Sequence, residues 1–123
     1  MAAPEAALLF SGAARAEVAV AGTLLARDGT QRPVLGRIDR LVIEPGRVVI
    51  ADFKTASSPP APDALPVSIL RQMALYRALL KPRFTDRTIE AAILWTAGPR
   101  LDWIAPKTLD VALEQLLHTN CGE

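Results

Sequence analysis

Short apolar runs alternate with turn-forming residues along this chain, and the apolar spacing switches between a strand period and a helix period. Residues 17–26, EVAVAGTLLA, are rich in Val, Thr and Leu and predict a strand, ended by the turn signal RDGTQ. PVLGRIDRLVIE (33–44) and VVIADFKT (48–55) flank the short turn EPGR and predict a hairpin. Four prolines in ASSPPAPDALP (56–66) exclude a regular element there. VSILRQMALYRALL (67–80) lacks Gly and Pro and spaces Ile69, Met73, Tyr76 and Leu80 along one helical face. Ser68 is the expected cap and Pro82 the stop. TIEAAILWT (88–96) and LDWIAP (101–106) predict two further strands, and TLDVALEQLLHTN (108–120) a closing helix. The order strand, hairpin, helix, strand, strand, helix predicts a mixed α/β domain, a small central sheet covered by helices.

The 123 residues suit one domain, and the chain reads as a single unit over 1–123. Half the residues are hydrophobic and 22% charged, which supports a packed core and argues against disorder. A net charge of +1 gives no global basic signature, so any nucleic-acid footprint has to be local. Eleven of the 14 basic residues are Arg, the better phosphate-contact residue. A lone Cys121 excludes an internal disulfide or a cysteine metal cluster, and with no signal peptide evident we expect a cytoplasmic protein.

The hairpin carries the chemistry. Centring its turn between Pro45 and Gly46 sets Ile43 against Val48, Leu41 against Ile50, Asp39 against Asp52 and Arg37 against Lys54. All eight side chains then share one face, and Ile38, Val42, Val49 and Phe53 occupy the other. Two carboxylates directly opposed across a ladder stand about 5 Å apart and repel. Such a pair needs a shared proton, a cation or a metal ion, and a hard ion such as Mg2+ takes oxygen ligands. Lys54 beside them suits orienting a water or offsetting charge on a phosphate. The same two acids and two bases also make a balanced ion-pair network, and spacing does not choose between the readings. A one-residue bulge would move Asp39 to the opposite face.

The ordered set GRIDRL, ADFKT and QMALYR resembles the nuclease core of the PD-(D/E)XK superfamily. In detail it is similar to the C-terminal nuclease domain of bacterial AddA-type helicase–nucleases, from about Leu9 to Leu117. The resemblance implies a restriction-endonuclease-like mixed sheet with flanking helices, cutting DNA with Mg2+ or Mn2+. It implies that Asp39 and Asp52 are metal-binding acids, that Phe53 supplies a carbonyl ligand, and that Lys54 is the catalytic lysine. Gln72 and Tyr76 match the QxxxY that follows in this group, which places them among the catalytic residues. Four apart on a helix, they share one face. Glu17 matches the family's raEv stretch, though at a strand start it also suits capping or pairing. The single strand would arrive from a helicase motor, beside an AddB-type partner subunit. Arg37, Arg40 and Arg71 are candidates for phosphate contact.

Two departures accompany the match. The family's further His or Glu, on a helix before the first strand, has no convincing counterpart; Glu5 is the one acid available. No Gly-rich phosphate loop occurs, so the chain reads as the C-terminal portion of a larger helicase–nuclease whose first core helix is missing. An uncovered sheet face would favour a homodimer. The competing function is a catalytically incomplete module of the same fold that binds DNA or docks a partner.

Overall fold

A computed structural model of the chain describes residues 14–56, 58–97 and 100–118. Glu5, Leu9 and Cys121, and the expected end of the closing helix at 119–120, lie outside the described residues. Five strands form one sheet in chain order: β1 (Ala14–Leu25), β2 (Gln31–Ile43), β3 (Arg47–Lys54), β4 (Thr88–Trp95) and β5 (Arg100–Ile104). Neighbours are antiparallel except β3 and β4, which run parallel. A parallel pair needs a crossover, and α1 (Val67–Leu80) supplies it; α2 (Pro106–His118) closes the chain. The mixed α/β architecture expected from the element order is therefore the observed one.

β3 is buried along five consecutive residues, Val48–Asp52, as befits a central strand covered on both faces. The main core lies between sheet and helices, with Leu41, Val48, Ile50, Ile93 and Trp95 meeting Met73, Tyr76 and Leu80 of α1 and Leu109 of α2. Burying a side chain such as Ile50 contributes about 1.5–3 kcal/mol. Val42, Val49, Ala51 and Leu94 form a second cluster on the opposite face. α1 begins on Pro66 without a side-chain cap, so Ser68 does not play the capping part expected of it. Pro82 ends the α-helix as expected, and a single 3-10 turn, Lys81–Arg83, follows. A second 3-10 turn, Pro62–Ala64, lies inside the proline-rich loop.

Only the part of the β1–β2 hairpin next to β3, Arg40–Ile43 of β2, lies alongside the other strands; the rest extends past them as an arm. Ala14 packs with the second cluster, yet Val18 and Val20, of the same parity, pack with the helices. On β2, Leu41 and Ile43 meet the helices, and so does Ile38 of opposite parity. Simple alternation puts Ile38 on the other face, and the structure places it against the helices. The switch falls at Glu17 and Asp39, which lie between the paired residues Ala16↔Arg40 and Val18↔Ile38. Glu17 takes the left-handed φ of 52°, a costly conformation for a side-chain-bearing residue, and this turns the strand over.

Beyond that point the arm curls over the helices. A Cβ on Gly22 would meet only the flexible tip of Leu79, Cδ2 at 2.6 Å, whereas one on Gly36 would meet the Tyr76 ring at 2.4 Å, so Gly36 is the close approach that calls for glycine. Its tip docks on α2 through an Arg27–Glu114 ion pair and a hydrogen bond from Arg27 N to the Leu117 carbonyl at 3.2 Å.

Candidate functional site

The β2–β3 ladder follows the expected register from Ile43↔Val48 to Arg40↔Ala51 and then stops. The expected pairs Asp39–Asp52 and Arg37–Lys54 therefore lie past the paired residues, because the arm turns away at Asp39 while β3 continues along β4 to Lys54↔Trp95. A cleft opens between the strands. Phe53 N–H, which a continuing ladder would have occupied, donates instead to Asp39 Oδ2 at 2.8 Å. This bond ties the Asp39 carboxylate to β3.

Asp39, Asp52 and Lys54 converge at the mouth of the cleft. Lys54 Nζ stands 2.9 Å from Asp52 Oδ2. That oxygen is buried, and the ammonium is the opposite charge set directly against it. The Asp52 side chain is only 10% exposed, against 34% for Lys54. Burial is the main force holding the Asp52 carboxyl above the usual carboxylate range, and the hydrogen-bonded Asp39 carboxyl adds to it. Lys54 opposes both without cancelling them. Lys54 is itself pinned on its far side, where its carbonyl accepts from Thr96 N at 2.8 Å and Thr96 Oγ1 at 3.2 Å.

Gln72 and Tyr76 occupy one helix face as expected, and their hydrogen bonds run to each other and to β2. Gln72 Nε2 donates to the Tyr76 hydroxyl at 3.2 Å, and Arg37 N donates to the same oxygen at 3.2 Å. The pair thus grips the backbone two residues before Asp39. Arg37 reaches out to Glu17 at 3.8 Å, so it pairs there and does not face Lys54. Arg40 lies over the Phe53 ring at 5.8 Å, and Arg71 donates to Gln115 on α2 at 3.3 Å. Thr96 carries part of the arrangement and was not singled out from sequence; only the β3–β4 register reveals it. A second unsuspected feature is the buried Asp102, which accepts from Trp95 Nε1 at 2.9 Å and from Arg100, whose guanidinium also holds the Pro60 carbonyl. It anchors the loop that leaves Lys54.

Two neighbouring carboxylates, one of them nearly buried, beside one ammonium form a hard-oxygen donor set. Such a set fits a divalent cation. Among the described residues no group of three or more His, Cys, Asp or Glu converges, so these two acids are the carboxylate ligands on offer. Mg2+ is commonly held by one or two carboxylates and completes its shell with water.

No curated protein matches the chain. Among solved structures, the crystal structure of SSO0001 resembles it with a TM-score of 0.53 at 16% identity, over 90% of this chain. The chain spans 52% of that protein, and likeness at this identity speaks for the fold alone. The PD-(D/E)XK nuclease superfamily matches over residues 5–109, a stretch that includes Asp39, Asp52, Lys54, Gln72 and Tyr76. The chain belongs to the PD-(D/E)XK nuclease superfamily.

Proposed function

We propose that this domain hydrolyses DNA phosphodiesters with a divalent metal at the mouth of the β2–β3 cleft. The observation that carries the reading is Asp52, a nearly buried carboxylate set against a second carboxylate, with Lys54 beside it. Asp39, Asp52 and the Phe53 carbonyl would hold Mg2+ or Mn2+. When bound, the metal polarises the scissile phosphate and makes a bound water more acidic. Lys54 Nζ, the exposed end of the set, orients that water or stabilises charge on the phosphate oxygen. The Phe53 N–H fixes the Asp39 carboxylate. Tyr76 and Gln72 fix the strand that delivers Asp39, which makes them positioning residues in this geometry.

The sequence likeness to AddA-type nuclease domains supports a cytoplasmic role in double-strand break repair, as one module of a helicase–nuclease with an AddB-type partner. Exonuclease action on a single strand delivered by the motor follows from that likeness, with backbone contacts sufficient for it.

The test is degradation of end-labelled single-stranded DNA with Mg2+ or Mn2+, beside calorimetric metal titration. We expect cutting that Asp39→Ala, Asp52→Ala and Lys54→Ala each abolish, and metal binding that only the two aspartate variants lose. Wild-type protein that neither binds metal nor cuts would refute the reading and leave an ion-pair network. Metal binding without cutting would favour a docking module built on the same fold.

A further inference from the structure

A cavity of about 750 Å³ lies away from the cleft, where the start of β4 and the end of β5 meet the end of α1 and the start of α2. Its floor is apolar, built from Ile89, Ile104 and Leu109, and Trp103 stands at its margin, 39% exposed. Its rim is cationic: Arg77, Lys81 and Arg87 all line it. Volume and lining fall in the usual range of small-molecule sites.

The rim is short of acceptors. Arg77 spends one terminal nitrogen on Asp110 at 2.7 Å, but its Nε is buried and donates to nothing. Arg87 Nε is likewise buried without a hydrogen-bond acceptor; the nearest carboxylate, Asp86, stays at 3.8 Å and is largely in water. Lys81 makes no ion pair among the described residues. The carboxylate that lines the cavity, Glu90, is engaged by Arg47 at 3.0 Å, so of the three rim cations Lys81 is the one without a carboxylate partner among the described residues. Those two Nε atoms are closed to an entering ligand; the donor that opens onto the cavity is the exposed Lys81 ammonium, with the Arg77 and Arg87 guanidinium charges beside it.

We propose that this cavity binds a small amphiphilic anion, its acidic head among Arg77, Lys81 and Arg87 and its apolar body over Ile89, Ile104 and Leu109. Charged hydrogen bonds at the head and area burial along the body supply the two halves of recognition. The site is independent of the nuclease reading and stands whether or not the cleft cuts DNA.

Sodium octanoate is the probe, titrated into the whole chain with isotope-labelled methyl groups, and octan-1-ol is the uncharged control of equal length. We expect saturable shifts at Ile89, Ile104 and Leu109, with octan-1-ol at least tenfold weaker. The exposed Lys81→Glu should weaken octanoate at least fivefold while the protein stays folded, its melting temperature falling by only a few degrees from the charge reversal at the end of α1, and Arg87→Glu should do the same if that variant folds. Equal affinity for acid and alcohol, undiminished binding by Lys81→Glu, or shifts confined to other methyl groups would each overturn the proposal.

Discussion

Replacing Gly36 by alanine tests how the arm that delivers Asp39 is held. The new Cβ would lie 2.4 Å from Tyr76 Cε1 and 3.2 Å from Cζ, inside any tolerable contact. The ring must therefore retreat by about an ångström to reach ordinary contact. It has nowhere easy to go, being 5% exposed within the main core. Overpacking of this kind costs about 1–3 kcal/mol, and straining the Arg37 N–Tyr76 hydrogen bond adds about 1. Reduced freedom of the unfolded chain returns about 0.4–1 kcal/mol. The net loss is about 1–3.5 kcal/mol, or roughly 4–14 °C in melting temperature for a domain of this size. Urea and thermal unfolding of Gly36→Ala, Tyr76→Ala and the double variant measure it. The clash predicts that Gly36→Ala is nearly neutral once Tyr76 is gone, whereas Gly46→Ala, with open space around it, stays near wild type. A cost below about 0.5 kcal/mol, or an equal cost in both backgrounds, would refute the reasoning.

Asp52→Asn should raise the melting temperature at pH 7. A carboxyl held above its unfolded pKa contributes its full stability below that unfolded value, and the contribution is lost as pH rises through the folded one. The advantage of Asn should therefore shrink as pH falls into the carboxylate range; an advantage that grows toward acid would contradict the assignment. Saturating Mg2+ should close the gap from the other side, since metal at about 100 times its Kd stabilises wild type by about 2.7 kcal/mol. Asp102→Ala strips the acceptor from Trp95 and Arg100 and should cost about 3 kcal/mol in urea unfolding, with faster proteolysis of the loop around Pro60. Lys54→Ala should leave metal affinity equal or tighter in calorimetry while abolishing cleavage, because it removes a cation beside Asp52.

Much of this was legible in the chain before folding. The span 67–80, free of Gly and Pro, is the helix observed, and the strands differ from expectation mainly at their ends, where fraying and pairing partners decide. Near its turn the hairpin keeps the expected register, because apolar residues on both faces penalise a slip. What alternation does not reveal is where pairing stops. The turn-over at Glu17 and Asp39 depends on helices distant in sequence, and Gly36 acquires meaning only once Tyr76 lies against it. Ile38 moved to the helix face for that reason. The Trp95–Asp102–Arg100 cluster stayed hidden because it spans two strands whose register had no marker.

The early departure of the arm at Asp39 also bears on refolding kinetics. Asp39 and Asp52 sit on one hairpin, whereas β3 finds β4 only after the α1 crossover has closed a much longer loop. Local pairing is faster than long-range pairing, so the two carboxylates meet while the core that will enclose them is still unformed. At that stage their repulsion opposes the nucleus, and water screens it only partly. If the site takes the divalent cation proposed for it, Mg2+ bound at the hairpin mouth would relieve the repulsion early, lengthen the lifetime of the nucleus and accelerate folding itself.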